Sequence, residues 1–493
     1  MKVKTTARTW IAPATPTKKH WLSLSNLDRV VNPTFVSVIF FFEAPMHSMV
    51  PYVEMVSTLK DSLRKVLVHF YPLAGRLAMR DDGLVDLHCN DAGAMFFEAF
   101  VDQELSEATG GYGQTFPSLS GLEAARLGPG PVYLPDQLTA LPVLIVQVTR
   151  FKCNSVSVAV NWHHTVADGY SGCHFVRSWS EVARGEPVSL IPVHTRELLR
   201  PRDSLDPSLV QQYSTDAIKT EDLRSVTHLK KAPPVSKVFH IAKESVQWLR
   251  NTVMAEQEKC ARPLSTVEVM SAFLWKAMVS ARQPQHQKVG DDIESKEIRT
   301  GTTTAADDLG NQNSTPEQPK RTRFFMFVDG RKRLNLPSGY FGNVVCSACA
   351  VSDEEEIRTR PLSHIGTLIG SATRGITEEY FRSIIDWVEM NGLTSASKSE
   401  HVNSVGQDVA GTFWIHFPLY EIDFGWGKPA FATRNAPPRP LIDGIGMIPS
   451  FQGPGNMAAV LNLHSDRMKN LERDPMFRSL FSDTPLGRVT EMS

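Results

Sequence analysis

The chain carries no surplus of charge. Lys plus Arg total 52 against 53 for Asp plus Glu, a formal net charge of −1 over 493 residues. That balance gives no reason to expect nucleic acid or a membrane surface as a partner, so a polyanionic ligand must be met by a local cluster. Long apolar runs are missing too: Phe35 to Pro45 is the greasiest early stretch and is far too short to span a bilayer. Cysteine is scarce. The six, Cys89, Cys153, Cys173, Cys260, Cys346 and Cys349, are scattered, which argues for reduced thiols in a cytoplasmic protein. Cys346-Ser347-Ala348-Cys349 lacks a second pair and sits in a segment, Val344 to Val351, that reads as strand, so no metal is expected. Met1-Lys2-Val3-Lys4 leads into polar residues with no apolar stretch of the secretory kind. A serine nucleophile elbow is absent as well, because Gly169-Tyr170-Ser171-Gly172-Cys173 lacks its second glycine position.

What is present is length and enough apolar residue to use it. One core rarely serves 493 residues, and 42% hydrophobic residues can fill two. Helical and strand-like patterns intermingle to about Ile191, after which Pro192, Pro201 and Pro207 interrupt a polar stretch. The expected division is therefore 1–190, a crossover over 191–235, and 236–493, with a helix over Thr266 to Ala281. Between 286 and 320 almost no large apolar residue occurs, so that segment cannot offset its ordering entropy and reads as a disordered insertion.

The most informative run is His163-His164-Thr165-Val166-Ala167-Asp168-Gly169. Upstream, Val156, Val158, Val160 and Trp162 alternate as in a half-buried strand; downstream, Phe175, Trp179 and Val182 share one helical face. The histidines thus lie at a strand-to-helix corner, where a rigid imidazole suits general-base chemistry near neutral pH. A plainer reading stands beside it: Asp168 caps the helix, Gly169 eases the turn and the histidines are packed strand-end residues.

Far downstream, Asp423-Phe424-Gly425-Trp426-Gly427 combines an acid, two aromatics and two glycines, a composition suited to a tight loop. A His-x-x-x-Asp-Gly near one third of the chain and an Asp-Phe-Gly-Trp-Gly near its end resemble the paired signature of the BAHD family of plant acyl-CoA-dependent acyltransferases. Likeness extends to Leu59–Leu63 with Tyr71–Leu77, Asp329–Arg333, Gly339-Tyr340-Phe341-Gly342-Asn343 and Thr412-Phe413-Trp414. Val56, Leu59, Leu63, Val66, Leu67 and Phe70 fit an amphipathic helix independently of it.

The resemblance implies an α/β, two-domain chloramphenicol-acetyltransferase-like fold with a solvent channel between the domains, a monomer, no prosthetic group, and acyl-CoA as co-substrate. It implies that His164 takes the acceptor's proton as the acceptor attacks the thioester. Trp414, through its indole N–H, and Thr412, through its hydroxyl, match the segment expected to meet the oxyanion. Asp168 would face away from substrate and pair with Arg331, with Gly169 beside it, and Asp423 to Gly427 would support the fold at a distance. The helix start at Ser265 and Thr266 offers amides for CoA phosphates.

The same likeness points to a hydroxycinnamoyl donor and a small acceptor: a polyamine, shikimate or quinate, or a related alcohol. Departures bear on that acceptor. Where shikimate-type members carry Thr and Tyr, this chain has Phe35 and Ile39, with Ser37 retained. The carboxylate-gripping arginine finds no counterpart in Ser395 to Gln407, which offers Lys398, and the arginine after the family's Trp is His416. A bidentate fork is thereby lost, and lysine is not its equivalent. Two rivals remain: a stand-alone condensation-type acyltransferase, since His163-His164 also fits that motif, and a non-catalytic relative that only binds.

Overall fold

A computed structural model describes residues 2–44, 50–80, 83–109, 142–206, 234–257, 262–282, 320–398, 407–434 and 443–481. Two six-stranded mixed sheets dominate it, with a small three-stranded sheet beside the first. In the first sheet the strands run Val3–Ile11, Ala94–Val101, Leu144–Phe151, Val156–His163, Phe35–Phe42 and Phe431–Arg434 in spatial order. The second runs Val345–Asp353, Arg321–Asp329, Val409–Phe413, Asp443–Pro449, Met457–His464 and Pro234–Ile241.

Alternation along the strands decides which face packs. Val158, Val160 and Trp162, with Val38, Phe40 and Phe42 beside them, join the core beneath helices Tyr52–His69 and Gly169–Ala183. The first helix buries Val56, Leu59, Leu63, Val66 and Leu67 on one stripe, each worth roughly 1.5–3 kcal/mol of transfer free energy. A hydrogen bond of 2.9 Å from Trp179 Nε1 to Ser62 Oγ ties the two helices. The second sheet packs its own core against helices Lys243–Glu256, Thr266–Ser280, Leu362–Gly375 and Ser465–Arg473.

The sheets do not follow a contiguous split at 190 and 236. Phe431–Arg434, from the second half, pairs antiparallel with Phe35–Phe42 and closes the edge of the first sheet. Residues 191–206 of the expected crossover are built in rather than draped: Val193 bridges Tyr340, Arg196 is buried, and Arg202 bonds Asp386 and Glu379. The rest of the crossover to residue 233, and the expected insertion from 286 to 319, lie outside the described residues. Cys346 and Cys349, three apart in one strand, point to opposite faces, one buried and one exposed. Among the described residues no helix is long and apolar enough to cross a membrane.

Candidate active site

Strand Val156–His163 and helix Gly169–Ala183 are joined by the run His164 to Asp168, and several polar groups of that run are held from outside it. His164 N donates to Thr34 O at 2.8 Å. The carbonyls of His164, Val166 and Ala167 accept from Asn343 Nδ2 at 2.7 Å, Arg196 Nη2 at 3.1 Å and Trp162 Nε1 at 3.1 Å. A loop so tied has little freedom, because releasing it would leave buried donors unpaired.

Asp168 does both things the sequence allowed. Its Oδ1 accepts from Ser171 N at 2.9 Å, capping the helix, and its carboxylate also pairs with Arg331, Nη1 to Oδ2 at 2.8 Å and Nη2 to Oδ1 at 3.1 Å. Val344 N adds a fourth donor at 3.1 Å. Burial pushes the Asp168 carboxyl up, but the Arg331 guanidinium and these donors outweigh it and hold the group below the usual carboxylate range. Arg331 further donates to Ser171 Oγ and Gly342 O and lies over the Tyr170 ring. The pair thus locks the corner of the first half to the Tyr340-Phe341-Gly342-Asn343 turn of the second.

The two histidines differ sharply. His163 is buried edge-on against Phe35, its Nδ1 without a hydrogen-bond partner, and burial, then the neighbouring His164, push its imidazole down to about 4. His164 is half-buried, and its Nδ1 lies 3.0 Å from Asn343 Oδ1. Asn343 is fully buried and bonded to Asp28 through both its backbone N and its Nδ2, each at 2.9 Å from Oδ1.

Trp414 follows strand Val409–Phe413 of the second sheet and reaches across to this corner. A Cβ on Gly169 would lie 2.9–3.1 Å from the Cζ2, Cε2 and Nε1 atoms of its ring, so glycine is what lets the nitrogen edge of the indole approach. The ring also stacks on Trp162, touches Phe417 and carries the Arg434 guanidinium over its face at 4.7 Å. Thr412, two residues earlier, is half-buried.

Other expected residues fall elsewhere. Ile39 is fully enclosed with Phe41, Phe151 and Phe431, farther along the sheet face that carries Phe35 and Ser37. Phe35 and Ser37 share a sheet face with Asn161 and His163, and Ser37 Oγ is buried without a hydrogen-bond partner. His416 is exposed on the surface, and the side chain of Lys398 lies outside the described residues. Asp423 Oδ1 accepts from Gly425 N at 2.8 Å and Gly427 N at 3.0 Å, both glycines having φ above 100°. That tight loop seats Phe424 and Trp426 on Phe42 and Trp179, away from the histidines.

At Ser265 part of the helix start expected to face CoA phosphates is taken up within the helix. Ser265 N donates to Glu268 Oε2 at 2.6 Å and Glu268 N to Ser265 Oγ at 3.2 Å, a reciprocal cap that sets a carboxylate where a phosphate was expected. Half-exposed Arg262 and Arg374 flank that carboxylate at 2.5 and 3.9 Å. Sequence reasoning assigned no role to Asp28, Arg196 or Asn343. Only Asn343 had a signal, as the last residue of a matching motif.

Residues 1–477 match the model of a family described as the Transferase family. A hydroxycinnamoyltransferase of Narcissus pseudonarcissus is 30% identical over 477 residues, covering 94% of this chain and 97% of the relative. A hydroxycinnamoyl-CoA:5-hydroxyanthranilate N-hydroxycinnamoyltransferase of Avena sativa is 29% identical, covering 96% and 99%. Among solved structures, vinorine synthase superposes with a TM-score of 0.67 at 22% identity over 98% of this chain and 99% of its own.

Proposed function

The chain belongs to the Transferase family, the BAHD acyl-CoA-dependent acyltransferases, and on that premise we propose that it moves a hydroxycinnamoyl group from CoA to the hydroxyl or amine of a small acceptor. The observation that carries this reading is the half-buried imidazole of His164, fixed at a pinned corner where the two halves meet. His164 takes the proton from the acceptor as its oxygen or nitrogen attacks the thioester carbonyl, within a ternary complex and without an acyl-enzyme. The negative charge that develops on the carbonyl oxygen is met by the Trp414 indole N–H and the Thr412 hydroxyl. Collapse expels the thiolate of CoA, which recovers the proton from the imidazolium. The enzyme works as a monomer in the cytoplasm.

The donor is p-coumaroyl-, caffeoyl- or feruloyl-CoA, in keeping with the daffodil and oat relatives. For the acceptor, the missing arginine and the exposed His416 argue against a grip on the shikimate carboxylate and favour an amine or neutral alcohol. Purified protein mixed with p-coumaroyl-CoA and, separately, spermidine, 5-hydroxyanthranilate and shikimate tests both parts through release of free thiol. Thiol released with spermidine or another amine faster than with shikimate is the expected result. Shikimate as the best acceptor would overturn the acceptor assignment, and no thiol from any acyl-CoA with a broad acceptor panel would leave a binding protein instead.

A further inference from the structure

We infer that the buried Arg196–Asp28 pair selects the tautomer of the His164 imidazole, acting through the side-chain amide of Asn343. This rests on reading His164 as the base, and it adds two positioning residues to that reading.

The direction of the Asn343 amide decides which nitrogen of the His164 ring carries the hydrogen. Its Nδ2 lies 2.9 Å from Asp28 Oδ1 and 2.7 Å from the carbonyl of His164. An ionised carboxylate and a carbonyl oxygen only accept, so both require a donor at that end of the amide. Rotating the amide by half a turn would set its oxygen against two others in a buried site. The orientation is therefore dictated by chemistry, which settles the usual ambiguity of amide ends. Oδ1 must then face His164 Nδ1, 3.0 Å away, and an amide oxygen can only accept. Nδ1 carries the hydrogen, and Nε2 carries the lone pair that a base needs.

Asp28 can impose this because it is itself fully committed. Its side chain is completely buried; besides Asn343 it takes donors from Ser25 N at 3.0 Å, Ser25 Oγ at 2.8 Å and Arg196 Nε at 2.7 Å. The same guanidinium reaches the carbonyl of Val166, two residues past His164, and that of Phe341, two residues before Asn343. One ion pair thus holds both partners of the histidine–amide bond, drawing on segments 168 and 315 positions apart in the chain. Because Arg196 balances the charge of Asp28, the pair acts by geometry and donor direction rather than by adding net charge beside the base.

The test uses the full chain with 15N-labelled histidine, the His164 ring being assigned by difference against H164Q. In the unprotonated form the wild-type ring is expected to show a hydrogen-bearing Nδ1 and a bare Nε2. In D28N the residue at 28 can offer an NH2 to Asn343, which removes one of the two acceptors that orient the amide and leaves only the His164 carbonyl, so the share of rings with hydrogen on Nε2 is expected to rise. The kcat, referred to the folded fraction measured by circular dichroism, should fall on the order of 10²-fold with the KM for acyl-CoA unchanged. If D28N does not fold, the wild-type spectrum still decides. A hydrogen on Nε2 in the wild type, or a D28N protein with the wild-type ring and wild-type kcat, would overturn the proposal. An active H164Q would instead overturn the base assignment and leave the tautomer result standing.

Discussion

Val156–His163 and Met457–His464 hold matching places in the two halves. Each is an eight-residue strand ending in histidine, antiparallel to both neighbours in its six-stranded sheet, and each runs on to a helix. After His464 the helix begins at once, with His464 itself at the cap position and making no side-chain cap bond. After His163 the chain first makes the run His164 to Asp168, and only then a longer helix capped by a carboxylate. The strand and its terminal histidine are therefore common to both corners. What distinguishes the first is an extra loop in which the His164 carbonyl and the Asp168 carboxylate are tied to Asn343 and Arg331 of the opposite half, and that loop is where a base can stand at the junction.

Of the features that set the two corners apart, the Asp168–Arg331 tie is the most costly to lose. Asp168→Ala leaves the buried Arg331 guanidinium only the half-exposed Asp329 carboxylate, 3.0 Å from Nη1, and removing one partner of a buried pair costs up to about 3–5 kcal/mol. Denaturant unfolding should show that loss, whereas His464→Ala at the other corner removes no cap bond and should cost much less. Equal losses would mean that the tie contributes nothing special.

A second difference shows in acid. His163 has its imidazole held near 4 against an ordinary value of 6.5. Between those values the unfolded chain binds a proton that the folded one refuses, so the associated stability is fully present above pH 6.5 and is lost as pH falls towards 4. The loss amounts to about 3 kcal/mol. It is separate from that of Asp168, whose carboxyl sits below its usual range and whose contribution fails only at lower pH. Unfolding free energies across pH 7 to 4 should slope for the wild type and slope less in His163→Gln, where His194, its imidazole likewise pushed down to about 4 by burial, keeps its share; parallel curves would contradict the burial argument.

A smaller effect is expected where the halves touch. Gly169→Ala puts a methyl 2.9 Å from the Trp414 ring, an overpacking worth about 1–3 kcal/mol. Thermal melting should fall modestly, and turnover should fall with it if the indole nitrogen must hold its place. A variant that melts lower but turns over normally would remove Trp414 from the reaction.

Much of this architecture was legible in the sequence because its signals are local. The period of two in Val156 to Trp162, the helical face of Phe175 and Trp179, and an acid at a helix start require no knowledge of the rest of the chain. Phe35–Phe42 was harder: nearly all its residues are apolar and both faces are buried, so alternation could not tell that Ile39 faces away from Val38 and Phe40. The four-residue strand Phe431–Arg434 is too short for periodicity to report, and nothing local marks it as part of the first sheet. Asp28 and Arg196 were invisible for another reason. A single acid and a single base carry no pattern, and their meaning arises only when the fold brings residues hundreds of positions apart to one amide. Glu268 shows the converse, since Ser265 and Glu268 at capping-box spacing signal from the sequence alone that part of the helix start is satisfied internally.

The most direct test of the central claim sets the two corners against each other in one assay. His164→Ala and His464→Ala, each verified as folded by circular dichroism, are given p-coumaroyl-CoA and an accepted acceptor, and free thiol is followed. Turnover should fall by roughly 10²–10⁴-fold in the first and persist in the second. Turnover that survives in His164→Ala, or that falls alike in both, would contradict the assignment of His164 as the base.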